Sequence, residues 1–216
     1  MTTTASGHPP SDWISAYAAG AATDGVATLV AAHLETCAAC RTRAGGVEAV
    51  GGAIFASAPS AEMSSGAFEA LMARIDAASA QPPAAAEASV GPALPRAVRE
   101  AVGAPIETLR WRFRMPGVHE AELPSAGPER VSLLKVKPGA GVPAHTHTGV
   151  EATLVLTGAL MDRGRRYGPG DVAVATDEDD HHPKAGDEGE CLCLAVMTGG
   201  LRFTGALGRA LNLFAE

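Results

Sequence analysis

The stretch "GAGVPAHTHTGVEATLVLTG", residues 139 to 158, constrains the chain more tightly than any other. It reads G-x5-H-x-H-x3-E-x6-G. Side chains two apart on a strand share a face, so His145 and His147 point the same way. Glu151 follows a tight turn at Gly149, which lets its carboxylate swing to the same point. Imidazoles and a carboxylate that converge in this way are ligands for a divalent metal. The pair of histidines therefore implies a strand that turns them to one side of its sheet.

The flanking sequence agrees. "VSLLKVKPG", "EATLVLTGAL" and "ECLCLAVM" are short strand-like runs separated by Gly, Pro and Asp turns. Their spacing suits an antiparallel sandwich or barrel. In "YGPGDVAVATDEDDHHPKA", His181 and His182 follow a Pro169-Gly170-Asp171 turn, and either is a candidate for a third imidazole. Three His and one Glu suit Zn, Fe, Mn, Ni or Cu. Cys191 and Cys193 in "ECLCLAVM" share a strand face. They read either as small core residues or as a thiol pair beside the metal and open to oxidation. His119 reads as an ordinary surface or strand residue, and the acidic run Asp177 to Asp180 as a solvated loop.

The first 80 residues have another texture. "SDWISAYAAG" starts with Ser11 and Asp12 as N-cap candidates and stops at Gly20. "DGVATLVAAHLETCAACRTRAGG" carries Val26, Leu29, Val30, His33, Leu34 and Cys37 at helical spacing and closes at Gly45 and Gly46. "VEAVGGAIF" is a further helix weakened by glycines. "SSGAFEALMARIDAAS" follows with Ser64 or Ser65 as cap and Phe68, Leu71, Met72 and Ile75 as its apolar stripe.

His33, Cys37 and Cys40 form H-x3-C-x2-C on one side of the second helix. From 33 to 40 the axial span is about 10.5 Å at ~1.5 Å per residue, long for ligands of a single ion. A helix break near residues 37 to 41 is therefore expected. Two thiolates and an imidazole form a zinc set that calls for a fourth ligand. His8, upstream of the first helix, is the nearest free candidate. The bland alternative is a pair of buried helix thiols with a chance His.

Residues 81 to 95, rich in Pro, Ala and Gly, read as a linker. The formal charge of −7 argues against a nucleic-acid or membrane-surface binder. Aromatics supply only 4% of the residues, so alanine and small aliphatics must fill the core. No apolar run approaches the ~20 residues needed to span a bilayer, and "MTTTASGHPP" lacks the regions of a signal peptide. A cytoplasmic location is expected, where clustered cysteines are metal ligands or redox groups.

The 139–158 motif resembles the first cupin motif, and the Pro-Gly-Asp turn resembles part of the second, whose trailing Asn is absent. H-x3-C-x2-C after a short helix resembles the zinc-binding anti-sigma domain of bacteria. A zinc anti-sigma domain joined by a Pro/Ala linker to a cupin is the architecture of ChrR-type anti-sigma factors. "AYAAG", "HLETCAACR", "AVGGAIF" and "ECLCLAVM" extend the resemblance over nearly the whole chain. It implies a two-domain α+β protein, with an all-α zinc domain at 1–80, a linker at 81–95 and a cupin barrel, or double-stranded β-helix, at 96–216. It implies Zn2+ on His8, His33, Cys37 and Cys40, and Zn2+ or another divalent metal such as Fe, Mn or Ni on His145, His147, Glu151 and His181. The family's acidic-His-x-Pro pattern is what selects His181 over His182.

As function, the resemblance implies a regulator rather than an enzyme. Its partner would be an extracytoplasmic-function sigma factor, with no direct nucleic-acid or membrane contact. Release would follow singlet oxygen or peroxide stress sensed by the cupin half. Residues 1–80 hold seven acids and three bases, a balance of −4 that suits a basic partner. The rival reading is a dioxygenase-like cupin metalloenzyme with an accessory zinc domain.

Overall fold

A computed structural model describes residues 7–79 and 94–204. Most of the expected linker, residues 81 to 93, lies outside them. The helical half begins with α1 (Ser11–Ala18), α2 (Asp24–Leu34), α3 (Ala38–Ser57) and α4 (Ala67–Ser79). Ser11 and Asp12 are the first residues of α1 rather than its caps. Pro10 holds the cap position without a side-chain bond, and Asp12 faces the positive end of the helix dipole.

The expected single helix through Cys37 is two helices. It stops at Leu34 and restarts at Ala38, so the break falls at 35–37, the near edge of the expected region. Cys37 is the N-cap of α3, and its sulfur accepts from the Cys40 backbone N–H at 3.5 Å. α3 then passes through Gly45, Gly46, Gly51 and Gly52 to Ser57, which overturns the expected stop at Gly45 and Gly46. A glycine costs a helix about 1 kcal/mol relative to alanine. Propagating an already nucleated helix through Ala, Val and Glu neighbours outweighs that cost, with no proline to stop it.

A fifth helix, α5 (Arg96–Val102), lies within the range expected to be purely β. Its Val98 is fully buried, and it packs on α2. The strands follow as β1 (Arg112–Met115), β2 (Val118–Leu123), β3 (Arg130–Val136), β4 (His145–His147), β5 (Glu151–Thr157) and β6 (Leu160–Asp162). After them come β7 (Arg165–Tyr167), β8 (Val172–Ala175), β9 (Lys184–Ala185), β10 (Cys191–Met197) and β11 (Leu201–Phe203). Six form an antiparallel sheet in the order β1-β2-β3-β10-β5-β8. β7-β6-β9 and β11-β4 are smaller sheets, and residues from all three surround one cavity of about 380 Å3. The described strands thus make a cupin-like β enclosure from three sheets.

Alternation gives the large sheet two apolar faces. Leu133, Leu154, Leu192, Leu194 and Val196 point away from the cavity into a core shared with Trp13, Ile14, Leu29 and Val30 of α1 and α2. Val136, Val155, Ala173 and Cys193 point the other way, into the enclosure. The helices and the cavity are therefore separated by a single layer of sheet. Leu133, Leu154 and Leu194 are at most 1% exposed, and truncating such a side chain to alanine costs about 2–5 kcal/mol.

Candidate metal centres

His8, His33, Cys37 and Cys40 are brought together, each offering one ligand atom within 4.8 Å of the others. His8 comes from the segment ahead of α1, His33 from the last turn of α2, and the cysteines from the start of α3. The Nδ1 of His8 lies 3.5 Å from the Cys37 sulfur and 3.4 Å from the Cys40 sulfur. Tetrahedral zinc, with bonds of about 2.05 Å to nitrogen and 2.3 Å to sulfur, sets N···S edges at roughly 3.5–3.6 Å. His33 donates its Nδ1–H to the Gly170 carbonyl at 2.8 Å, which leaves Nε2 as the ligand atom. That Nε2 is buried without a hydrogen-bond partner. Burial, then the neighbouring Cys37, pushes the Cys40 thiol up to about 11, so a cation is what would hold the Cys40 sulfur as a thiolate. The donor set and its edges fit zinc.

This centre is fastened to the β half at one turn. Gly170 has φ +90°, and a Cβ there would sit 2.6 Å from the Thr36 hydroxyl, so only glycine lets the turn approach the α2–α3 corner. Two residues on, the Val172 N–H donates to the Gly7 carbonyl at 3.2 Å. The residue before His8 and the ring of His33 are thus both held by the 168–172 turn. Its Pro-Gly-Asp sequence was legible; its reach to His33 and to the residue before His8 was not.

The second cluster contains His145, His147, Glu151 and His181, again within 4.8 Å. β4 carries the two first histidines and β5 opens at Glu151. His181 joins β4 through paired backbone hydrogen bonds of 3.0 Å with His145. Adjacent His182 is exposed and outside the cluster. The Nε2 atoms of His147 and His181 are 2.9 Å apart, and His147 Nε2 is 3.3 Å from a Glu151 oxygen. His145 turns Nδ1 to the Pro143 carbonyl at 2.7 Å, so its Nε2 faces inward.

Asp162, a residue the sequence reading missed, does the same for His181. Its carboxylate lies 3.0 Å from His181 Nδ1 and is almost fully buried. Burial pushes the Asp162 carboxyl up, but the His181 hydrogen bond and Arg163 outweigh it and hold the group below the ordinary range. A carboxylate behind a metal histidine fixes its tautomer and raises its basicity. Burial pulls His145 and His147 down to about 4 and raises Glu151 to about 7. Imidazoles held neutral at His145 and His147, beside a carboxylate that burial disfavours as an anion, fit a divalent cation.

Cys191 and Cys193 are reduced, buried, and 3.4 Å apart at sulfur. Gly158 (φ +74°) lets β10 pass closely, since a Cβ there would meet the Glu190 carbonyl at 2.6 Å. The hydrogen bond with Cys193 lowers Cys191, while that contact and burial raise Cys193 well above the ordinary thiol range. Cys193 lines the cavity that also exposes Glu151.

Comparison with known proteins follows this geometry. The family described as the ChrR Cupin-like domain matches residues 99–200, and a zinc-finger family matches residues 11–41. The anti-sigma-E factor ChrR of Cereibacter sphaeroides is 37% identical over 201 residues, 93% of either chain. The chain belongs to the ChrR family of anti-sigma factors. Within that family, the crystal structure of Rhodobacter sphaeroides SigE in complex with the anti-sigma ChrR contains a chain similar to this one. It shows a TM-score of 0.72 and 36% identity, covering 90% of this chain and 99% of that chain. The ChrR-family match spans both halves, so the helical centre and the cupin centre belong to one architecture. Among the described residues no helix is long and apolar enough to cross a membrane.

Proposed function

We infer that this chain binds and inhibits an extracytoplasmic-function sigma factor in the cytoplasm and releases it under singlet-oxygen or peroxide stress. It acts as a regulator, not an enzyme. The observation that carries this reading is apolar surface on two helices that nothing among the described residues covers. Val50, Ile54 and Phe55 of α3 and Phe68, Leu71, Met72 and Ile75 of α4 are exposed by between 41% and 83%. Contiguous exposed apolar surface marks a protein-binding site. α3 starts at Cys37 and Cys40, so zinc on His8, His33, Cys37 and Cys40 would fix the helix that carries Val50, Ile54 and Phe55.

In the cupin half, His145, His147, Glu151 and His181 would hold a divalent metal, zinc or alternatively Fe, Mn or Ni. Such a metal would supply a Lewis-acidic centre next to Cys193 inside the cavity. Asp162 holds His181 in the ligating tautomer, and the Cys191–Cys193 pair offers an oxidisable group at the same wall.

The test is co-expression with a candidate extracytoplasmic-function sigma factor from the same genome. A one-to-one complex should form that blocks transcription and comes apart on exposure to singlet oxygen or an organic hydroperoxide. Failure to capture any such sigma factor would overturn the reading.

A further inference from the structure

The inner face of the large sheet carries a second polar group, apart from the cupin ligands. Glu120 on β2 is 8% exposed. It accepts from the Ser132 hydroxyl at 2.6 Å and pairs with both Arg114 and Arg130, the latter at 3.1 Å. Two guanidiniums share one carboxylate, so this end of the cavity carries one unmatched positive charge. Arg130 Nε is buried and has no hydrogen-bond partner among the described residues. Both arginine side chains keep about two-fifths of their surface open, 39% and 40%, so a ligand can reach them.

The strand register locates this group relative to the cupin ligands. Arg130 pairs with Met197, and Met197 pairs with Glu151. Arg130 is therefore two strands from Glu151, about 9.5 Å at the usual strand spacing. Leu134, Ala195, Met197, Leu201 and Phe203 contribute apolar surface to the same cavity. Its volume of about 380 Å3 falls at the small end of small-molecule sites, which run to about 300–1,000 Å3.

We propose that this cavity binds a medium-chain monocarboxylic acid, its carboxylate on Arg114 and Arg130 and its apolar chain running toward Glu151 and Cys193. A carboxylate meets both the excess charge and the orphaned Nε, and guanidinium is the side chain best shaped to hold one. An uncharged apolar guest would leave that buried donor unpaired. A sugar or a nucleotide would also set polar groups against the side formed by Leu134, Ala195, Met197, Leu201 and Phe203, which cannot satisfy them. The proposal goes beyond the regulatory reading and is tested without a sigma factor, so failure here leaves that reading untouched.

The experiment is calorimetric titration of the full-length, zinc-loaded protein with octanoate and, separately, with 1-octanol. Octanoate should bind once per chain and at least tenfold more tightly than 1-octanol. R130Q, with metal content and melting temperature as in the unaltered protein, should weaken octanoate at least tenfold and leave 1-octanol unchanged. Ala195→Phe, which fills the cavity, should abolish binding of both. Absence of octanoate binding, or equal affinity for octanoate and 1-octanol, overturns the proposal. So does unchanged octanoate affinity in R130Q, which would place the carboxylate on the metal centre instead. Should R130Q fail to fold, R114Q takes its place: a loss of at least tenfold for octanoate alone supports the proposal, and unchanged octanoate affinity overturns it.

Discussion

Glu151 must be an anion to hold a cation, yet its surroundings favour the acid. Burial raises its carboxyl to about 7, while burial pulls His145 and His147 down to about 4. The two imidazoles are therefore neutral and ready above about pH 5, and Glu151 is not ready until about pH 7. Loading the cupin centre below about pH 7 must expel one proton. Its affinity should fall about tenfold per pH unit from pH 7 towards pH 5 and level off above pH 7. Titration against a competing chelator at several pH values measures this, and Glu151→Gln should flatten the profile. A steep fall that persists in Glu151→Gln would assign the proton to another group. At Asp162 the effect is positional. Asp162→Asn should weaken the cupin metal about 10–100-fold and leave the helical zinc in place. Equal retention of both metals in Asp162→Asn would remove Asp162 from the site.

Among the elements, α3 and α4 expose what other helices bury. Phe55 is 83% exposed and Ile75 48% exposed. Replacing either with Ser should shift folding stability by no more than about 0.5 kcal/mol, as at other exposed positions. If the face docks a sigma factor, each change should cost roughly 2 kcal/mol of binding, about thirtyfold, which surface plasmon resonance against the captured sigma factor would read. Unchanged affinity in both variants would move the interface elsewhere. The apolar stripe of α4 was legible because helical spacing is a local property. That nothing in the described chain covers it was not, because periodicity records which face is apolar and not what meets it. The metal tetrads divide in the same way. H-x-H-x3-E and C-x2-C bring their side chains together through local backbone geometry, so that convergence is legible in the sequence. Asp162 reaches His181 across 19 residues of chain, and α5 folds back onto α2 after a long excursion. No spacing rule encodes either. The α3 glycines misled for a third reason: glycine lowers helix propensity without forbidding the helix.

At the scale of the whole molecule, one sheet stands between the two centres. On β5, Glu151 belongs to the cupin cluster while its neighbour Ala152 is fully buried in the core shared with the helices. On β8, Ala175 pairs with Glu151, and the turn entering that strand holds His33 and the residue before His8. A change at the cupin cluster thus has a short route through β5, β8 and the 168–172 turn to His33 and the residue before His8, and a shift of only about 1.4 kcal/mol would alter sigma affinity tenfold. Gly170 is where that route can be cut. Gly170→Ala puts a side chain on a backbone at φ +90° and drives its Cβ to 2.6 Å from the Thr36 hydroxyl. The turn must then withdraw from the α2–α3 corner, and His33 loses the carbonyl that orients its ring. Zinc should leave the helical centre at least tenfold faster, as followed with a colorimetric chelator, while the cupin metal is retained. Gly164→Ala is the control, because that residue also sits at positive φ, +73°, but a Cβ there meets nothing within 4 Å. It should release zinc at the unaltered rate. If Gly170→Ala behaves like Gly164→Ala, the two halves are packed together without being coupled, and a signal at the cupin must reach the docking face by another path.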